Sequence, residues 1–271
     1  MHTVSDTSTV TALTVASSDS GGGAGIQADL KAFARCGVHG LSAIVALTAQ
    51  NTTGVSAIHE CPPEFVTAQL DALFADFAPG AVKTGMLFSV PIIEAVALAL
   101  TGRGLPLVID PVMIASSGAA LLREDAVDAL VGLLFPLATV LTPNLMEAQA
   151  LTGLACEDRS ELCEALVAMG ARGVLVTGGH GRHPVDHLFA DGRHLEIPVQ
   201  RHAVPATHGA GCTHSAALAA CLARGDTLAD AARRAALVAG AAVEHGLAGI
   251  GAGDGPVDAL NVRSLTPPDL Q

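Results

Sequence analysis

Positive charge is scarce in this chain of 271 residues: 14 Lys and Arg face 26 Asp and Glu, for a formal net charge of −12, and the only two lysines are Lys31 and Lys83. No cluster of Lys and Arg exists, which excludes a general nucleic-acid binder, because phosphate backbones are held through clustered cations. If the ligand is a phosphate, helix N-termini, a metal ion and a few arginines must offset its charge. Also missing is an uncharged apolar run of the roughly 18 to 20 residues that a membrane-spanning helix needs. The opening MHTVSDTSTV has no basic flank followed by an apolar stretch. These absences predict a cytoplasmic protein. The six cysteines, Cys36, Cys61, Cys156, Cys163, Cys212 and Cys221, are scattered without paired metal spacing, which argues against a disulfide scaffold or a zinc site. His180, His208 and His214 likewise form no compact ligand pattern.

What is abundant is apolar material. Half the residues are hydrophobic, 15% are charged and 29 are glycine, enough for a large core with many tight turns. One domain over 12–258 is expected, with a flexible N-terminus (1–11) and a short C-terminal tail (259–271).

Along the chain, ALTVAS (12–17) is a short apolar run that breaks into Ser18-Asp19-Ser20-Gly21-Gly22-Gly23-Ala24-Gly25, and IQADLKAFARCG then has helical periodicity. Strand and helix alternate from there. Strands are predicted over 41–50, 81–85, 105–110, 139–144 and 173–180, and helices over 63–77, 90–100, 124–134, 145–151 and 160–169. HLFADGRHLEI reads as a hairpin turning at Asp191-Gly192. Helices over 212–223 and 228–245 close the core, and the glycine-rich stretch beyond Gly246 reads as loop. This order specifies an α/β fold with a mostly parallel sheet, whose ligand belongs at the carboxyl ends of the strands.

The most informative segment is PATHGAGCTHS (205–215), which runs directly into an alanine-rich helix. Glycines at such a junction let successive amides point at one anion, and the helix dipole favours the charge that develops on a transferring phosphoryl group. The Walker pattern GxxxxGK[ST] is absent, and the early GGGAG lacks the dinucleotide spacing. A second glycine signature, Gly251-Ala252-Gly253-Asp254, is followed by Gly255-Pro256, which blocks the helix an anion hole requires.

Five blocks make a resemblance specific: SDSGGGAGIQADLKAF (18–33), TAQNTTGV (48–55), VKTGML (82–87), IDPVM with the following SG (109–118) and LTPNLMEA (141–148). GGH (178–180) and THGAGCTHSAA (207–217) complete the set. Over roughly 12–257 the chain resembles the hydroxymethylpyrimidine kinase branch of the ribokinase-like superfamily. The resemblance implies a three-layer α/β/α sandwich, ATP with Mg2+ as donor, and two successive phosphorylations, of hydroxymethylpyrimidine and then of its monophosphate. A homodimer would fit the family.

By the same resemblance, Cys212 stands where sugar kinases carry a catalytic aspartate, and Gly209, Ala210 and Gly211 form the anion hole before it. A thiol at a helix N-terminus is expected to have a lowered pKa and to accept a proton. Asp29 and Gln50 would hydrogen-bond the aminopyrimidine, with Met86 and Val112 packing on its face. Asn144, Thr177, Gly179 and Thr207 would hold the nucleotide, and Asp110 and Glu147 the magnesium. Plainer readings stay open: Cys212 as a buried structural cysteine, Asp29 as a solvated helix carboxylate, Glu147 as a first-turn acid favoured by the dipole, and Asp110 as a turn carboxylate. Three departures stand out. Thr177 and Ser116 occupy places where lysine is common, and Ser17 replaces a glycine beside the pyrimidine. A pyridoxal kinase of the same branch is the nearest competing reading, and a non-catalytic pyrimidine-binding protein is another.

Overall fold

A computed structural model describes residues 9–113, 121–123, 125–179 and 184–265. Ser116, Gly118, His180 and the first residue of the predicted 124–134 helix lie outside them. Strand β1 (Thr11–Asp19) leads into α1 (Gly25–Arg35), β2 (His39–Asn51) and β3 (Gly54–Glu60). Then come α2 (Pro63–Asp76), β4 (Ala81–Thr84), α3 (Val90–Leu100), β5 (Leu107–Ile109), α4 (Ala126–Ala129) and β6 (Val140–Leu141). The second half runs α5 (Leu145–Thr152), α6 (Arg159–Ala168), β7 (Gly173–Val176), β8 (Val185–Ala190), β9 (Arg193–Pro198), α7 (Ala210–Ala223) and α8 (Leu228–Glu244).

The nine strands form one sheet in the order β3-β2-β1-β4-β5-β6-β7-β8-β9. Pairing from β2 to β7 is parallel, while the β2–β3, β7–β8 and β8–β9 pairs at the two edges are antiparallel. Alternate residues of each strand serve opposite layers. Leu13, Val15, Ile109, Leu141, Val174 and Val176 pack with α2 to α6, whereas Ala12, Val108, Val140 and Leu175 pack with α1, α7 and α8. That period of two, with both faces covered, is why the inner strands read as near-continuous apolar runs. The result is the three-layer α/β/α sandwich of the ribokinase-like fold.

Two expectations need correcting. Strand β3 was not anticipated: Gly54–Glu60 is half exposed at the sheet edge, so it lacks the buried apolar run by which its neighbours announce themselves. The predicted 124–134 helix is α-helical only over Ala126–Ala129 and widens into a π-helical turn over Leu130–Leu134, ahead of Pro136, whose ring cannot continue an α-helix. The Asp191-Gly192 hairpin is as expected, with φ of 51° and 70° at the two turn residues, the pair of positive angles that a type I′ turn demands.

From β1 the chain moves outward to β2 and then returns to the other side of β1 as β4, so the strand order reverses there. Loops on either side of such a reversal part and leave a crevice at the carboxyl ends of the strands. A β-bulge between Ala16 and Ser18 distorts β1 at this end and so re-aims Ser17 and Asp19.

Candidate active site

One cavity of about 440 Å³ occupies that crevice. It has two ends. Ala16, Ser17, Asp19, Gln50, Met86 and Val112 line the first, on β1, β2 and the segments after β4 and β5. Thr177, Gly179, Gln200, His202, Ala239 and Val243 line the second, on the segments after β7 and β9 and on α8. Between them stands the N-terminus of α7, which packs over β1, β4 and β5.

Gly209 caps α7 with φ 83°, a left-handed conformation that glycine adopts without cost. The Ala210 amide donates to the Thr207 carbonyl at 3.1 Å, so although Ala210 lines the cavity its amide is not the free anion donor that the sequence had led us to expect. The amides of Gly211 and Cys212 have no acceptor among the described residues and sit in the first turn, where the helix leaves donors free. The Gly25 amide, from the first glycine loop, points at the Cys212 sulfur. Two loops far apart in sequence thus supply donors to one spot.

Cys212 lines the cavity, yet its thiol is not activated. Burial pushes it up to about 12, Lys83 pulls in the opposite direction, and the Asp110 and Asp29 carboxylates add to the rise. The expected lowering by the helix N-terminus is outweighed by desolvation and two neighbouring carboxylates. Lys83, although fully buried, also lines the cavity. Its Nζ is 2.8 Å from Asp29 Oδ1 and 3.9 Å from Asp110 Oδ2. Burial favours neutral Lys83, but Asp29 and the other anionic groups prevail and hold it above the ordinary lysine value.

Asp29 therefore differs from its expected place. Its carboxylate is fully buried, taken up by Lys83 and by the Thr14 hydroxyl at 2.6 Å, and does not line the cavity. It sits under the floor as the counter-ion of Lys83. Gln50 does face the cavity. Its Oε1 accepts from the Thr48 hydroxyl at 3.0 Å, and its Nε2 is 3.4 Å from His208 Nε2. That His208 nitrogen lies closer to Asp19 Oδ2, at 3.1 Å, so it donates to the carboxylate, cannot accept from Gln50, and leaves the Gln50 amide N–H for a ligand. Met86 is 4% exposed and, with Val112, forms the apolar wall.

Asp19 organises the first glycine loop. It accepts from the amides of Gly21, Gly23 and Ala24 at 2.8, 3.0 and 2.8 Å. Burial raises its carboxyl, but the His208 ring and the loop amides outweigh that and hold it below the usual range. The Gly251–Asp254 signature is loop, and Gly253 packs on the Thr52 backbone; the adjoining Gly255 carbonyl accepts from the His208 amide at 3.2 Å. The segment supports His208 and offers no helix N-terminus.

At the other side of α7, Asn144 and Glu147 form a capping box on α5, with mutual bonds of 2.9 and 3.0 Å. Both also line the cavity, as does Asp110, which accepts from the Ser215 hydroxyl at 2.8 Å. Burial, with the Asp110 charge adding to it, pushes the Glu147 carboxyl up to about 8. Burial also raises Asp110, against the pull of Lys83. Two carboxyls that resist joint ionisation until a cation joins them suit a hard divalent ion, since Mg2+ binds through one or two carboxylates plus phosphate oxygens and water. Thr177 pairs with Asn144 across the strand ends, and Gly179 and Thr207 border the same end of the cavity.

Sequence reasoning did not assign roles to Lys83, the Asp19–His208 pair or the Asp186–His214 pair, which also lines the cavity. A lysine in a chain with only two, inside an apolar strand, was the available signal for the first. The others join residues 189 and 28 positions apart, which no local pattern reveals.

A family model described as phosphomethylpyrimidine kinase matches residues 19–258. A Haemophilus influenzae hydroxymethylpyrimidine/phosphomethylpyrimidine kinase is 48% identical over 256 residues, covering 91% of this chain and 95% of the relative. Among solved structures, an ADP complex of Bacillus subtilis pyridoxal kinase superposes with a TM-score of 0.86 at 35% identity, covering 95% of this chain and 100% of the other. A phosphomethylpyrimidine kinase from Clostridium difficile gives 0.75 at 37% identity, over 84% and 96% of the two chains. With a nearly full-length match and the site's blocks in order around one cavity, the chain belongs to the phosphomethylpyrimidine kinase family.

Proposed function

We propose that this enzyme transfers the γ-phosphoryl group of ATP to the hydroxymethyl group of hydroxymethylpyrimidine, and then phosphorylates the monophosphate to the diphosphate, for thiamine biosynthesis. The observation that carries the reading is the α7 N-terminus, with the free amides of Gly211 and Cys212 between two chemically different ends of one cavity. Donors aimed at the point of charge development supply the electrostatic part of phosphoryl transfer.

In this reading the first end takes the pyrimidine, with the Gln50 amide on its polar edge and Met86 and Val112 on its face. Gly209 sets the bend that exposes the Gly211 and Cys212 amides, and Ala210 secures it through Thr207. Asn144, Thr177, Gly179 and Thr207 border the donor. Asp110 and Glu147 would hold Mg2+, which when bound offsets phosphate charge in a chain otherwise poor in cations. Cys212 meets the reacting hydroxyl as a neutral thiol, with Lys83 and Asp29 fixing the charge beneath it. A loose phosphoryl transition state demands little of a base, so a protonated thiol is compatible with turnover. We place the enzyme in the cytoplasm as a homodimer, with small-molecule substrates and neither nucleic acid nor membrane as partner.

A second reading, pyridoxal phosphorylation, is favoured by the likeness to the Bacillus subtilis pyridoxal kinase structure. An ADP-release assay with hydroxymethylpyrimidine, its monophosphate and pyridoxal side by side decides. The proposal expects the two pyrimidines to turn over and pyridoxal to trail. Equal kcat/KM for pyridoxal and hydroxymethylpyrimidine would overturn the assignment.

A further inference from the structure

Two residues beyond Cys212 on α7, the His214 ring is 5% exposed, and its Nε2 lies 2.9 Å from Asp186 Oδ2 on β8. Asp186 is equally buried, and its other oxygen accepts the Gly178 amide at 2.6 Å. One carboxylate therefore ties two elements: the start of α7 and the turn that follows β7. Gly178 packs so closely on Val185 that a Cβ there would lie 2.4 Å from the Val185 carbonyl oxygen. His214, Asp186, Thr177 and Gly179 all line the second end of the cavity.

Packing does not require this pair. Beyond the flanking Thr213 and Ser215, α7 continues in small apolar residues, with Ala216, Ala217 and Ala220 fully buried. Nδ1 of His214 is shielded from solvent and has no hydrogen-bond partner among the described residues. An unpaired buried ring nitrogen costs about 1–3 kcal/mol, and a buried polar pair is weak evidence of a stability role. What the pair does hold constant is the spacing between two amide-bearing elements.

We propose that the His214–Asp186 pair is a positioning element for the phosphate donor: it fixes the turn at Gly178-Gly179 against the α7 N-terminus, so that one polyphosphate chain meets both. The proposal rests on the reading that the second end of the cavity takes ATP. Neither residue is a catalytic one; each acts by placing backbone donors.

The test is steady-state kinetics of the intact enzyme, varying ATP at saturating hydroxymethylpyrimidine and the reverse. His214→Phe should raise the KM for ATP about tenfold, the scale of about 1.4 kcal/mol, and leave the KM for the pyrimidine within about twofold. His214→Gln, which can still donate to Asp186, should recover most of the loss. Should His214→Phe fail to fold, Asp186→Asn is judged by the same split. Both KM values moving together, or neither moving, overturns the inference while leaving the kinase reading intact. A wild-type enzyme without ATP-dependent turnover of the pyrimidine overturns both.

Discussion

Gly209 and Gly23 approach so closely that a Cβ built on Gly209 would lie 1.8 Å from the Gly23 carbonyl oxygen. This contact, together with φ 83° at Gly209, is what brings the two glycine loops together at the proposed phosphoryl position. Gly209→Ala should therefore cost about 3 kcal/mol or more and lower Tm by roughly 6–12 °C, with turnover reduced beyond the stability loss. Asp254→Ala, in the other glycine signature, should leave kcat within about twofold. Thermal scans and initial rates on the two variants check this, and loss of turnover in Asp254→Ala would show the catalytic centre to be on the wrong loop.

On the proposed function, Gln50 carries the preference for an aminopyrimidine. Its amide N–H faces the cavity while its oxygen is held by Thr48, and losing a buried hydrogen-bond partner costs about 1–3 kcal/mol. Gln50→Leu should narrow the ratio of kcat/KM for hydroxymethylpyrimidine over pyridoxal by about 5- to 100-fold. An unchanged ratio would move recognition elsewhere.

Glu147 predicts a pH dependence with a definite sign. Its carboxyl is raised from an ordinary 4.5 to about 8, so between those values the folded state holds a proton that the unfolded state has released. Its stabilising contribution is full below about 4.5 and is lost as pH rises through about 8. In metal-free protein, the Tm of wild type relative to Glu147→Gln should fall progressively from pH 5 to 9, whereas parallel curves would refute the shift. The same variant should lose Mg2+-dependent turnover far more than pyrimidine binding.

Cys212 should act as a thiol held protonated. A neutral thiol makes no general-base contribution, so Cys212→Ala is expected to lower kcat by less than about tenfold with little change in pyrimidine binding; a loss of about 100-fold, partly restored in Cys212→Asp, would show a base role instead. Alkylation at pH 8 gives an independent check. Of the six cysteines only Cys36 is held below its ordinary value, through a hydrogen bond from Cys221 and the nearby Arg35 and Arg224. Mass mapping should find Cys36 modified before Cys212, and the reverse order would restore the thiolate.

Legibility in the sequence followed burial. The inner strands and their helices could be read because both sheet faces are covered and the apolar runs are unbroken; α3 was placed to the residue. The edge strand β3 escaped because half-exposed residues dilute the pattern. At the site, the places of Gln50, Met86 and Glu147 on the cavity wall were legible because each lies at or just beyond the carboxyl end of a strand, where the fold leaves its crevice. Asp29 was misplaced because a helix carboxylate looks the same in sequence whether it faces a ligand or a buried lysine 54 positions away. The Cys212 thiol was misjudged for a related reason: helix position is local information, whereas desolvation and the Asp110 charge arrive from other parts of the chain.

The bond between Asp19 and His208 joins positions 189 apart at the first end of the cavity. Its consequence lies in time. A growing chain can lay down β1 to β9 and bury much of its core before residue 208 has been made, yet the first glycine loop has no second loop to lean on until α7 docks against α1. Pairings of such sequence separation form late, since chain entropy must be lost before they reward it. Binding competence is therefore expected to arrive late in folding, and ligand binding that appears only after most of the secondary structure has formed on refolding would show it.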